Sequence, residues 1–137
     1  REQSLVTAES RINDLRQNMN ELEKHGIKQS DVNYYLPPYE WYNKENVNLI
    51  ESQNQITINF TPGLRTAADY TTPDMKNYMS SQQMIDQLFA YEKANTLDGA
   101  IILIHPGTHP DRKDKLYLRL NEIIKGLAKR GYSFERL

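Results

Sequence analysis

One run in this sequence, Ala100-Ile-Ile-Leu-Ile104, is apolar at every position. A strand with one face in water alternates apolar and polar residues. A short continuous apolar run instead suits a strand covered on both faces, as in a parallel sheet. Parallel strands need crossover connections, most often helices, so this run calls for helical segments around it. The sequence supplies them. Ile12, Leu15, Met19 and Leu22 recur at three- and four-residue steps behind Thr7, a good N-cap, and His25-Gly26 reads as the stop. A short helix is predicted from about Lys44 to Ser52, capped by Asn43, with Val47 and Ile50 inward. Ser80-Ser81 caps a helix whose apolar stripe is Met84, Ile85, Leu88, Phe89 and Tyr91. The last helix runs from Leu116 to Lys129, with Leu120, Ile123, Ile124 and Leu127 inward and Gly131 as its end.

Between these helices lie three further strand candidates. Val32 to Leu36 is closed by Pro37-Pro38, Ile56 to Phe60 is rich in β-branched residues, and Tyr132 to Leu137 ends the chain. The order helix, strand, repeated, predicts an α/β fold of alternating parallel βα units. A complete β/α barrel takes roughly 200 residues or more, and this chain has 137. The expected architecture is therefore half of a barrel.

Composition removes several classes of function. A formal net charge of −1 gives no pull toward nucleic acid or an anionic membrane. The absence of cysteine excludes a disulfide frame and a thiolate metal site. No apolar run is long enough to span a bilayer. No leader-like segment is present, and the chain opens on Arg1 rather than Met, which reads as a mature or trimmed chain.

In parallel α/β folds the working residues sit on the loops after strands. Three stretches qualify: Leu36-Pro-Pro-Tyr-Glu-Trp41, Thr61-Pro-Gly63 through Asp69-Tyr70, and His105 through Asp111. His105 closes the apolar run, where burial and a carboxylate can suit a histidine to general acid or base work. The competing reading is a half-buried histidine that only holds a loop. His109 follows four residues later, but Pro106 and Gly107 argue against the helix that would put both rings on one face, so a metal pair is not expected. Asp111-Arg-Lys-Asp-Lys115 reads as a solvated helix start with Asp114 as its cap. Pro37-Pro38 stiffens a turn able to aim the Tyr39 amide at a developing oxyanion, although a plain strand exit is the commoner use. Trp41 and Tyr42 suit a sugar-stacking wall, or one of them plugs the core edge. Arg65 and Asp69 would pair with each other, or Asp69 would orient His105.

At these three loops the chain resembles the polysaccharide deacetylases of the NodB-homology type, carbohydrate esterase family 4, across most of its length and only as the carboxyl-terminal part of that domain. "IILIHPGT" is similar to the family's Leu-x-His motif, "LPPYEWYN" to its Arg-x-Pro-Tyr motif, and "AADYTTP" to the motif whose Asp-Trp pair tunes the catalytic histidine. The wording "YYLPPYEWYN … NFTPGLRTAADYTTPDMKNYMSS" is most like a Bacteroidetes-type bacterial subgroup. The resemblance implies the carboxyl-terminal half of a distorted β/α barrel that removes acetyl groups from a glycan or peptidoglycan. His105 would be the acid that protonates the leaving amine, Tyr39 the oxyanion donor and Asp69 the group that tunes His105. Leu103, Trp41 and Tyr70 would bind substrate. Leu36 stands where the motif usually has Arg, and Tyr70 where it usually has Trp.

The family's Thr-Phe-Asp-Asp base motif and its His-x-x-x-His metal ligands do not occur upstream in this sequence. The resemblance thus implies a divalent metal, zinc by preference, only in a complete domain, and an upstream half of the barrel as partner. It also implies an acetylated glycan as substrate and a setting in the cell envelope, periplasm or outside the cell. The alternative from another class is a carbohydrate-binding or scaffold module that keeps the fold without catalysis.

Overall fold

The computed structural model describes residues 7–137. The chain divides into two compact units, Arg1–Asn59 and Phe60–Leu137.

The first unit begins with helix α1, Ala8–Lys24. The Ser10 N–H donates to Thr7 Oγ1 at 3.1 Å, which satisfies one of the donors a helix start leaves without a partner. Leu15 and Met19 lie one turn apart on the buried face. The helix stops at His25, and Gly26 takes the left-handed conformation at φ +82°, open to glycine without strain. Strand β1, Tyr34–Tyr35, pairs in parallel with β2, Ile56–Thr57, in the register Tyr34 to Ile56 and Tyr35 to Thr57. Helix α2, Lys44–Glu51, occupies the connection, with the Asn46 N–H donating to the side chain of its cap, Asn43. Leu15, Met19 and Ile50 form this unit's core, with Leu22, Val32 and Tyr35 packed against it. Burial pushes the Tyr35 phenol above its ordinary value, and the Asp14 carboxylate adds to that.

The second unit is built around helix α3, Ser81–Asn95. A capping box starts it: the Gln83 N–H donates to Ser80 Oγ, and the Ser80 N–H donates to Gln83 Oε1. Met84, Ile85 and Leu88 are fully buried and pack with Leu64, Leu97, Leu116, Ile123 and Leu127. Helix α4, Leu120–Ala128, lies near the end of the chain. The single helix expected from Leu116 instead opens with a 3-10 turn, Leu116–Arg119. That tighter turn lets Leu116 reach the core while Leu118 stays 70% exposed.

Among the described residues the sheet has two strands, so two of the expected strand segments make no ladder. Ala100–Ile104 meets Thr61 through two hydrogen bonds. The Thr61 N–H donates to the Ile101 carbonyl, and the Ile101 N–H donates to Thr61 Oγ1 rather than to a backbone oxygen. A proline follows at position 62, and it has no N–H with which to continue a ladder. The run is half-buried throughout rather than covered on both faces. Leu120 and Ile124, expected inward, are exposed and line a groove of about 560 Å³ together with Ile102, Ile104 and Phe134. The Tyr132–Leu137 tail is held at its start by the Tyr132 hydroxyl, which accepts the Leu97 N–H at 3.1 Å. No helix is long and apolar enough to cross a membrane among the described residues.

Candidate functional site: a histidine on a buried carboxylate

The extended run carries the chain across the core of the second unit and releases it at His105, just before a Pro106-Gly107 turn. Asp69 comes from a 3-10 turn, Thr66–Tyr70, in the loop that follows Thr61. Arg65, in the left-handed region at φ +64°, turns the chain into it. Asp69 is fully buried, and its two oxygens serve one residue. Oδ2 accepts the His105 backbone N–H at 2.8 Å, and Oδ1 lies 2.6 Å from His105 Nδ1.

A carboxylate can only accept at such a contact, so the hydrogen between them belongs on Nδ1 and the neutral ring is the Nδ1–H tautomer. Nε2 is then the nitrogen available to exchange a proton. The backbone bond adds what a ring contact alone lacks, because it fixes the position of His105 as well as its orientation. The His105 side chain is 37% exposed, so the pair joins a dry carboxylate to a ring that solvent can reach. Tyr70 stands beside it with the ring planes at 84° and centroids 6.3 Å apart, an edge-to-face contact. Leu103, two residues before His105, is half-buried.

Of the residues singled out from the sequence, the second unit thus brings together Asp69, Tyr70 and His105. Asp69 orients His105 and makes no pair with Arg65, whose Nε instead donates to the sulfur of Met79 at 3.3 Å. His109 is exposed, with Nδ1 3.6 Å from an Asp111 oxygen. Among the described residues no group of three His, Asp, Glu or Cys side chains could hold a metal ion.

Tyr39 and Trp41 belong to the first unit. After Pro37 and Pro38, Tyr39 and Glu40 take φ of +56° and +57°, two successive non-glycine residues in the left-handed region. Such backbone costs on the order of 1–3 kcal/mol per residue and persists only when its surroundings enforce it. Hydrogen bonds close this turn, from the Glu40 N–H to the Pro37 carbonyl at 2.9 Å and from Asn59 Nδ2 to the Glu40 carbonyl at 3.2 Å. The side chains point outward: Tyr39 is 86% exposed and Trp41 79%. Tyr42 is exposed too, so neither Trp41 nor Tyr42 plugs a core.

Sequence reasoning missed Arg112. The segment 111–115 was expected to be a solvated helix start, yet the Arg112 side chain is completely buried. Asp114 does act as a cap, but for α3, where its Oδ2 accepts the Ser81 N–H. Charged neighbours on both sides of Arg112 hid it, and no periodicity marks it.

The loop beyond Asp69 carries a titrating group. Thr72 Oγ1 donates to Asp74 Oδ1, and that bond, with help from a backbone N–H, holds the Asp74 carboxyl below the ordinary carboxylate range. A carboxyl whose folded value is depressed adds stability above its unfolded value and loses it as pH falls through the folded one. Thr72→Val should therefore lower stability at neutral pH and shift acid unfolding, followed by circular dichroism, to higher pH. The two proteins should converge in strong acid; a difference that persists there would place the effect in packing instead.

No family model, no curated protein and no solved structure matches this chain in comparisons with known proteins.

Proposed function

We propose that this chain supplies the acid side of a metal-dependent polysaccharide or peptidoglycan N-deacetylase, as the carboxyl-terminal part of a distorted β/α barrel. The observation that carries the reading is the doubly bonded Asp69–His105 pair. In hydrolysis of an acetamide, water adds to the carbonyl, the C–N bond breaks and the nitrogen must leave as an amine. His105 Nε2 gives that nitrogen its proton, and Asp69 holds the ring in place through Nδ1. Leu103 and Tyr70 flank the histidine and bind the substrate in this reading. The roles of Tyr39 as oxyanion donor and Trp41 as groove wall rest on the sequence pattern alone.

Among the described residues no three His, Asp, Glu or Cys side chains are grouped closely enough to form a metal centre. The divalent metal and the base belong, in this reading, to residues that the sequence does not contain, and no step is derived through them. The substrate is an acetylated glycan, and the setting is the cell envelope or beyond.

A second reading has its own observation. Tyr39, Trp41 and Tyr42 are three exposed aromatics within four positions of one strained turn, a surface suited to stacking on sugar rings without catalysis. Acetate release from N-acetylated chitooligosaccharides and from peptidoglycan, by the complete protein with divalent metal supplied, separates the two. His105→Ala should lower release by about 10²–10⁴-fold while glycan binding persists. Equal release from His105→Ala and the parent would remove the catalytic role. Glycan binding abolished by Trp41→Ala, with no acetate released by the parent, would establish the binding module.

A further inference from the structure

Arg112 is the largest fully buried side chain among the described residues. Placing a guanidinium out of water is costly, and packing alone is better served by an apolar residue of similar size. Its contacts show what it holds. Nη1 donates to the Thr71 carbonyl at 2.7 Å and to Thr71 Oγ1 at 3.3 Å. Nη2 donates to the Met79 carbonyl at 2.9 Å. The Tyr78 ring centroid lies 5.2 Å from the guanidinium carbon, and an Asp114 oxygen 3.9 Å from Nη2. Nε is buried without a hydrogen-bond partner among the described residues, a further cost borne by the arrangement. The two carbonyls lie at opposite ends of the loop that follows Asp69 and Tyr70.

The link to the pair is short. Thr71 directs both its N–H, at 3.0 Å, and its hydroxyl, at 2.7 Å, onto the Ala68 carbonyl, which closes the turn containing Asp69. On the other side Arg112 sits on the loop after His105, and its own N–H donates to the His109 carbonyl at 3.1 Å. Lys115 Nζ fastens that same loop, donating to the carbonyls of Thr108 and His109 and to Thr108 Oγ1. One side chain thus anchors the loop bearing the histidine to the loop bearing its carboxylate.

We infer that Arg112 is a positioning residue that sets Asp69 against His105. The inference rests on the reading of that pair as the working part of the site. A lysine at 112 keeps the charge but presents its donors from a single point, so it does not reproduce the guanidinium's separate arms to Thr71 and Met79 over the Tyr78 ring. The test is nitrogen-15 and proton NMR of the whole chain. In the folded parent, the His105 ring should show a slowly exchanging Nδ1–H donated to Asp69. In Arg112→Lys, judged folded by its unchanged near-ultraviolet circular dichroism, that proton should exchange about tenfold faster or more, because the pair opens more often. An unchanged His105 ring signal in the folded variant overturns the inference.

Should Arg112→Lys fail to fold, amide exchange in the parent decides. The His105 and Arg112 N–H groups should open in one cooperative step, and independent opening overturns the inference. Where acetate release is measurable, the folded variant should lose kcat with KM unchanged. If the parent releases no acetate, the deacetylase reading fails alone, and the NMR result still decides the role of Arg112.

Discussion

Asp69→Asn should reverse the tautomer of His105 and lower acetate release by about 10²–10⁴-fold. Both Asp69 oxygens accept from His105, one from the backbone N–H and one from the ring. An asparagine offers one accepting oxygen and one donating NH₂ group. The backbone N–H can only donate, so it claims the oxygen and leaves the NH₂ facing Nδ1. The neutral ring must then accept at Nδ1 and carry its hydrogen on Nε2, the reverse of the parent arrangement. A charged ring would set its Nδ1–H against the NH₂ group, which removes the support that an acid needs. Nitrogen-15 shifts of the two ring nitrogens report the tautomer directly, without any assumption about substrate. Asp69→Ala is the harsher companion, since it leaves the part-buried His105 N–H without its partner, at about 1–3 kcal/mol. Equal tautomer populations and equal rates in the parent and Asp69→Asn would reduce the pair to a loop fastener.

Leu88→Ala should destabilise the protein by about 2–5 kcal/mol, in the range for a large aliphatic side chain cut back in a closed core. Leu88 is fully buried at the centre of α3, among Met84, Ile85, Leu116, Ile123 and Leu127. The neighbouring positions have little room to close over the void, because rings already press on the glycines nearby. A Cβ added at Gly63 would meet the Tyr91 ring, and one at Gly126 would meet the Phe89 ring. Leu118→Ala is the control. That leucine is 70% exposed, and its loss should change stability by no more than about 0.5 kcal/mol. Urea unfolding of both variants, compared at constant m, measures the two losses. A loss below about 1 kcal/mol for Leu88→Ala would contradict the core described for the second unit.

Much of the local structure was legible because it depends on neighbours a few residues apart. Thr7, Asn43 and Ser80 accept hydrogen bonds at helix starts, as short polar side chains ahead of an apolar period are expected to. Gly26 and Gly131 sit at φ of +82° and +96°, where glycine is preferred. The position of His105 at the end of the most apolar run was equally plain, and it made that residue a candidate from the start.

The rest was not local. Asp69 and His105 lie 36 positions apart, and only the packing of two loops decides that one carboxylate serves both the backbone N–H and the ring Nδ1 of one histidine. Arg112 looked like one charge among several, and its burial follows from where the carbonyls of Thr71 and Met79 meet, which no periodicity encodes. The run Ala100–Ile104 has the composition of a covered parallel strand, yet composition does not provide a partner. Its observed contact, at Thr61, stops at a proline. By itself, then, the sequence determined the helices, their ends apart from the start of α4, and the histidine at the close of the apolar run, because capping and amphipathic spacing act over a turn or two of chain. Only the tertiary structure decided which carboxylate that histidine meets and which buried cation holds the two loops, because hydrogen bonds across tens of residues are chosen by three-dimensional packing.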